Sequence, residues 1–335
     1  MSKENLIDFV IPWVDGSDKN WIKEKNKYSK VKIDESNSDI RYRDWGLLKY
    51  WFRAIEKNTP WVNKIYFITC NQKPEWLNEK NEKLVLINHE DYIPKECLPT
   101  FNVNAIEDNL FRLKDLSENF VYFNDDFFII NEMKKEDFFI NGIPRDSFCF
   151  NAVSAKCDNN CIEHMILNDG AIIEKYFNKH ETIKKLKYKI FNIKYGIKNN
   201  LKSLLLLPWD NFTGIENPHV PTPYIKSEME KVWKLEEESL METSIHKFRN
   251  KDDINIWIFR YWNLFNGNFI PRTTKKSKFY SLKNDNSELF RIMEDNKIQM
   301  ICINDSDINL DYESVKEELI KEFEKLYPEK SSFEK

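Results

Sequence analysis

The chain has 335 residues, 41% of them hydrophobic and 14% aromatic, enough to bury a substantial core in one large domain or two intimately packed ones. Seven Gly and twelve Pro exclude a collagen-like or low-complexity chain, and a net charge of −4 carries no nucleic-acid signature. No apolar run reaches the ~20 residues that span a bilayer, so a soluble or peripheral protein is expected. Six scattered cysteines with no secretory signal before them point to reduced thiols in a cytosol. Cys157, Cys161 and His164 stand close, but no second pair completes a zinc ligand set.

Residues 6–14 (LIDFVIPWV) are apolar enough for a first strand, which stops at Asp15-Gly16-Ser17-Asp18, where glycine and short acids favour a turn. A helix predicted over 18–29 completes a strand–turn–helix opening. Asp15 and Gly16 are therefore candidates for holding a nucleotide, beside the reading as an ordinary turn. Residues 30–40 are polar loop. Over 45–56, Leu47, Leu48, Trp51, Phe52 and Ile55 recur at helical intervals and make one apolar face, with Asp44 as N-cap. Arg41 and Arg43 precede that helix start, where they can hold a diphosphate bidentately or pair with Asp44. Strands are predicted over 64–70 and 83–88, the second followed by His89-Glu90-Asp91. A helix is predicted over 105–116, with Glu107 off its apolar face.

The stretch 120–130 (FVYFNDDFFII) is the most informative. A short apolar run between polar residues reads as a buried strand, yet Asp125 and Asp126 sit inside it behind Asn124. Ionised carboxylates are not buried unpaired, so the run breaks at Asn124 and the acids project from a strand end into a cleft. The competing reading is an Asp pair that shapes a turn or caps a helix. Strands alternating with helices imply an α/β fold with a mainly parallel, Rossmann-like sheet flanked by helices. Such a sheet gathers Asp15, Asn71, His89 and Asn124–Asp126 along one edge, where open α/β sheets bind ligands.

The second half reads as a helical insertion. Residues 174–202 hold nine lysines against Glu174 and Glu181, with apolar residues at helix-like spacing. Such a segment suits an anionic membrane or an acidic polymer, or is simply a solvated helix face. Residues 217–224 form a proline-rigid loop that carries His219. Helices follow over 226–242 and 252–265, a strand over 297–303 ending at Asn304-Asp305, and a last helix over 311–326.

Four blocks in this order resemble the Stealth phosphotransferases, which comprise bacterial capsular polysaccharide enzymes and the catalytic part of lysosomal GlcNAc-1-phosphotransferase. They are 7–18 (IDFVIPWVDGSD), 41–126 (with YRDWGLLKYWFRAIEKNTPWV, LPTFN, NAIE and FVYFNDD), 204–269 (with LLLLPWDNFTG, NPHVPTP and TSIHKFR) and 301–307. Ile11-Pro12 departs from the Tyr-Thr common in relatives. The extra modules and membrane anchors of the lysosomal enzyme are missing, which points to the bacterial branch. The resemblance implies a single catalytic domain over 1–335. Within it, 1–150 would be a nucleotide-sugar core, 151–270 a mostly helical acceptor and catalytic insertion, and 271–335 a return to the core. It implies transfer of a sugar-1-phosphate from a UDP-sugar to a glycan hydroxyl with release of UMP. A metal-dependent glycosyltransferase that moves the sugar alone and releases UDP is the alternative. The resemblance also implies catalytic roles for Glu107, Asp126, His219 and Arg249, and nucleotide-sugar contacts from Asp15, Gly16, Arg41, Arg43 and Asn124. Mg²⁺ or Mn²⁺ would be held by Asp125, Asp126 and Asp305, since hard oxygens suit it and it would bridge the phosphates. The partners expected are a nucleotide-sugar donor and a glycan acceptor, not nucleic acid, with the enzyme in the cytoplasm and peripheral at the inner face of an anionic membrane or at capsule assembly machinery.

Overall fold

The computed structural model describes residues 6–29, 42–155, 161–305 and 309–335. Arg41 and Cys157 lie outside the described residues, and so does the loop predicted over 30–40. The main sheet has the order β3-β2-β1-β4-β8. β1 (Ile7–Pro12), β2 (Ile65–Thr69), β3 (Leu84–Asn88) and β4 (Asn119–Tyr122) run parallel, and β8 (Thr222–Ile225) closes one edge antiparallel. This is the expected α/β architecture. Residues 222–224, expected as the end of a loop, are instead part of a strand. An edge strand tolerates Pro223 because one of its sides needs no ladder bond.

Successive side chains of β1 enter different cores. Ile7, Phe9 and Ile11 pack on the face covered by α2 (Leu48–Asn58) and α12 (Tyr312–Leu326). Val10 faces a second core with α8 (Lys226–Leu235) and α10 (Trp257–Asn266). Trp51 and Phe52 of α2 are both fully buried, each such side chain contributing about 1.5–3 kcal/mol. Asp8, also buried, accepts from Asn63 Nδ2 at 2.7 Å, the Lys64 amide at 3.1 Å and the Ser117 amide at 2.7 Å, so its charge is satisfied within the fold.

The stretch 120–130 is not one strand. β4 ends at Tyr122, and the chain crosses to β5 (Phe127–Ile129), which pairs antiparallel with β11 (Met300–Asn304) in a second sheet. β10 (Ser277–Ser281) completes that sheet beside β11. The desolvation penalty on two acids in an apolar run is met by changing sheets, which leaves Asn124–Asp126 in the gap. A third small sheet joins β6 (Phe139–Ile140), β7 (Ile143–Asp146) and β9 (Ile270–Pro271).

Helix boundaries differ from expectation where polar side chains intervene. α1 (Lys19–Tyr28) starts as predicted, with Asp18 accepting from the amides of Asn20 and Trp21. α2 starts three residues later than predicted and is not capped by Asp44, whose Oδ1 accepts from the Gly46 amide at 2.8 Å while Gly46 turns the chain at φ +70°. The helix predicted over 105–116 is only α3 (Val103–Asp108), because Asn109 turns its amide back onto the Ala105 carbonyl at 2.8 Å and a 3₁₀ turn follows. The helix predicted over 226–242 is two, α8 and α9 (Glu237–Ile245), broken at Glu236. The insertion also contains α5 (Cys161–Tyr176), α6 (Lys179–Ile190) and α7 (Gly196–Leu205), while α4 (Lys135–Phe138) and α11 (Ser287–Met293) are short connectors.

Candidate active site

A cavity of about 500 Å³ opens at the carboxyl ends of β1 and β4. Its walls bring together Glu107, Asn124, Asp125, Asp126, His219, Arg249, Asp305 and Arg43, which are dispersed along the sequence. Each is positioned by its own local device.

Asp126 is fixed by the seam between the two sheets. The Phe123 amide bonds the Val10 carbonyl at 2.9 Å, the Phe127 amide closes a turn onto the Asn124 carbonyl at 3.1 Å, and the Ile303 amide reaches the Asp126 carbonyl at 2.9 Å. The Cys302 thiol of β11 donates to Asp126 Oδ2 at 3.2 Å. Burial first, and the negative charge of Asp126 second, push that thiol well up from its ordinary range. It is a protonated donor that orients the carboxylate, not a thiolate nucleophile. Asp125 is exposed at the cavity mouth. The surrounding protein bulk, and then the charge of Asp44, raise its carboxyl above the usual range, a rise that its access to solvent tempers.

His219 has φ +46°, a left-handed conformation that an L residue holds only when its surroundings impose it. The surroundings are visible. Its ring stands edge-on to Phe127 at 5.0 Å and Phe279 at 5.6 Å, with Trp257 at 6.3 Å. Two residues earlier, Asn217 is held at both ends of its amide, donating to the Tyr261 hydroxyl at 2.6 Å and accepting from Arg260 at 2.8 Å. Arg260 is itself buried and forks onto Asp146 at 2.7 and 3.0 Å. His219, Asp126 and Cys302 each present a donor atom within 4.8 Å of the others.

Glu107, on α3, is buried and accepts a 2.5 Å hydrogen bond from the Tyr122 hydroxyl. Burial lifts its carboxyl to about 7, against the opposing effects of that hydrogen bond and of the Arg249 charge. Arg249 follows a segment clamped by the loop before α3. Phe248 stacks on Phe101 at 5.4 Å, and Lys247 Nζ donates to the carbonyls of Cys97 and Leu98 at 3.0 and 3.1 Å. His246 Nδ1 meets Asp253 at 2.6 Å, while Asp253 also accepts from Asn102 and Asn104 at 2.8 and 3.0 Å. The LPTFN and TSIHKFR stretches are thus one structural unit.

Arg43 pairs with Asp305 at 3.6 Å and lies over the Tyr312 ring at 5.4 Å. Asp15 and Gly16 do not line the cavity. The Asp15 carboxylate accepts from Ser17 within its own turn at 2.6 and 2.9 Å. A Cβ on Gly16 would fall 2.0 Å from the Tyr42 carbonyl, so this glycine lets the Arg43 segment approach. His89 lines the cavity, and burial lowers its imidazole to about 4, which keeps it neutral.

Three participants were not singled out as site residues in the sequence. Tyr122 reads there as strand core, and its OH finds Glu107 only once α3 packs on β4. Cys302 reads as one of several stray thiols, although its place two residues before Asn304-Asp305 on a strand end was a usable signal. Asp44 faces the site because Gly46 delays the helix.

Five carboxylates and two guanidinium groups line the cavity. This balance repels a polyanionic phosphate substrate unless a cation joins it. Mg²⁺ needs only one or two carboxylates, with phosphates and water completing its shell; among the described residues the ligand atoms gathered within 4.8 Å are those of Asp126, His219 and Cys302, and Asp125 and Asp305 are not part of that group.

Residues 41–146 match the model for Stealth protein CR2, conserved region 2, and residues 7–30 that for CR1, conserved region 1. The chain is 46% identical over 337 residues, covering all of both proteins, to the capsular polysaccharide phosphotransferase WcwK of Streptococcus pneumoniae. It is 41% identical to the exopolysaccharide phosphotransferase cps2G of Lactiplantibacillus plantarum, covering 98% of this chain and 96% of that protein. It is 39% identical to the receptor polysaccharide phosphotransferase WefC of Streptococcus oralis, covering 98% and 99% respectively.

Proposed function

The chain belongs to the Stealth family and is a phosphotransferase, and from that premise we propose that it moves a hexosamine-1-phosphate from a UDP-sugar to a glycan hydroxyl during capsular or cell-surface polysaccharide synthesis. The acceptor oxygen forms a bond to the phosphorus that carries the sugar. The diphosphate P–O bond breaks, UMP leaves, and a phosphodiester remains. The reaction runs in the cytoplasm, where reduced thiols such as the free Cys70, Cys97, Cys149 and Cys302 persist.

The observation that carries this reading is the meeting of Asp126, His219, Arg249 and Glu107 in one cavity. His219, caged by aromatic rings beside Asp126, takes the proton from the attacking hydroxyl. Arg249 clamps the phosphoryl oxygens as charge spreads over them. Glu107, restrained by Tyr122, holds Arg249 electrostatically and titrates in the working range. Mg²⁺ or Mn²⁺ held by Asp126 with Asp125 or Asp305 would neutralise the diphosphate. Asn124 and Arg43 stand on the wall for the rest of the donor.

The test is a leaving-group assay with nucleotide sugars and capsule-derived oligosaccharides. UMP and a new phosphodiester are expected. UDP with a plain glycosidic bond would instead establish transfer of the sugar alone.

A further inference from the structure

One surface lies outside the cavity and is built for a different ligand. Ile193 is 94% exposed and Ile197 is 88% exposed, and on α7 Leu201, Leu204 and Leu205 continue the same helical face into solvent. Trp209 follows, also exposed. Ile197, Leu201 and Leu205 are one helical turn apart on α7 and form one stripe, and Ile193 precedes them in the 3₁₀ turn Ile193–Tyr195 that Gly196, at φ +78°, joins to the helix. The opposite side is well satisfied. Ser203 is buried and bonds the Phe150 amide at 3.0 Å, and Asn200 donates to the Asn192 and Gly196 carbonyls at 2.8 and 2.7 Å. The helix is therefore docked in its proper orientation and presents its apolar face outward by construction. Contiguous exposed apolar surface of this kind marks an interaction site.

Charge identifies the partner. Between residues 182 and 209 there are seven lysines and no acidic residue. Lys189, Lys194 and Lys202 are engaged, the first by the Gly267 and Phe269 carbonyls, the second by the Pro271 carbonyl and the third by Glu216, but Lys184, Lys185 and Lys187 on α6 and Lys198 on α7 are exposed. Exposed aliphatic side chains together with lysines match the acyl boundary and headgroups of an anionic bilayer. An acidic polymer would use the lysines and leave Ile193, Ile197 and Leu201 in water. A second copy on a two-fold axis would set lysines against lysines. No helix among the described residues is long and apolar enough to cross a membrane, so attachment by this face is peripheral.

We infer that the face formed by Ile193, Ile197, Leu201 and Leu205, with Lys184, Lys185, Lys187 and Lys198, docks the enzyme on an anionic lipid surface. Lys202 joins this helix to Glu216, three residues before His219, so the docked face adjoins the base of the catalytic loop.

The test is co-sedimentation of the full chain with vesicles of phosphatidylcholine alone or of equal parts phosphatidylcholine and phosphatidylglycerol, without substrate, so that it is independent of the reaction chemistry. Binding to the mixed vesicles and much weaker binding to the neutral ones is expected. Reversing Lys184, Lys185, Lys187 and Lys198 to Glu should weaken it about fivefold per lysine. A variant carrying Ile193→Ser, Ile197→Ser, Leu201→Ser and Leu205→Ser should release the protein while its circular dichroism and its turnover of a soluble acceptor are unchanged. The inference is overturned if the unaltered chain stays in the supernatant, if the serine variant binds as well as the parent, or if the parent is a dimer that the serine substitutions dissociate.

Discussion

Glu107 shows how one side chain can report on the whole cavity. Its carboxyl is raised to about 7 in the folded chain and has an ordinary value of 4.5. A raised folded pKa means that its favourable contribution to stability is complete below about 4.5 and is lost as pH rises through about 7. Glu107→Gln should remove that downward slope from stability measured between those limits. Activity should respond in the opposite sense, because the ionised carboxylate is the form that engages Arg249. The rate should rise through about pH 7, and Glu107→Gln should flatten that limb while lowering kcat/KM about 10²-fold. His219→Ala should lower kcat about 10²–10⁴-fold with the fold retained. His219→Gly should be equally inactive and within about 1 kcal/mol of the parent in stability, since glycine adopts φ +46° freely at the expense of a more disordered unfolded chain.

The loop that carries His219 depends on a helix. Arg260, from the middle of α10, neutralises Asp146 of β7 and holds Asn217. Replacing it with Met takes the paired guanidinium from buried Asp146 and leaves it the Ser147 amide and the Arg272 charge, which should cost up to about 3–5 kcal/mol in denaturant unfolding. The Asp146→Asn, Arg260→Met double variant should recover part of that stability but not the turnover, because Asn217 stays released. The opening turn works similarly. Gly16→Ala would force its Cβ against the Tyr42 carbonyl, so KM for the donor should rise as Arg43 is displaced, with a smaller change in kcat. Sequence periodicity made β1, β2, β3, α1 and α12 legible, because their apolar spacing and caps are local properties. It could not show that 120–130 spans two sheets, since β5 needs a partner from residues 300–304. Nor could it end α3 at Asp108, a stop that rests on Asn109 finding Ser244 from α9 at 3.0 Å. Of the candidate site carried by motif resemblance, Arg43, Glu107, Asn124, Asp125, Asp126, His219, Arg249 and Asp305 converge on the cavity, whereas Asp15 and Gly16 do not. Tyr122, which acts by contact across elements, was not legible for the same reason as β5.

At the scale of the molecule, the two cores meet at the crossing between β4 and β5, and the site is cut into that join. The wall behind Asp126 is supplied late in the chain by β11, through the Ile303 amide and the Cys302 thiol. The C-terminus then folds back, with Arg53 of α2 gripping Glu334 at 2.8 Å through both carboxylate oxygens. This has a genetic consequence. A premature stop at Met300 would remove no residue before it, yet it would strip Asp126 of its backing and leave a sheet edge open. Such an allele should behave as a complete null, yielding aggregated product, and a separately expressed tail peptide spanning β11 to the C-terminus should restore soluble protein where a peptide lacking β11 does not.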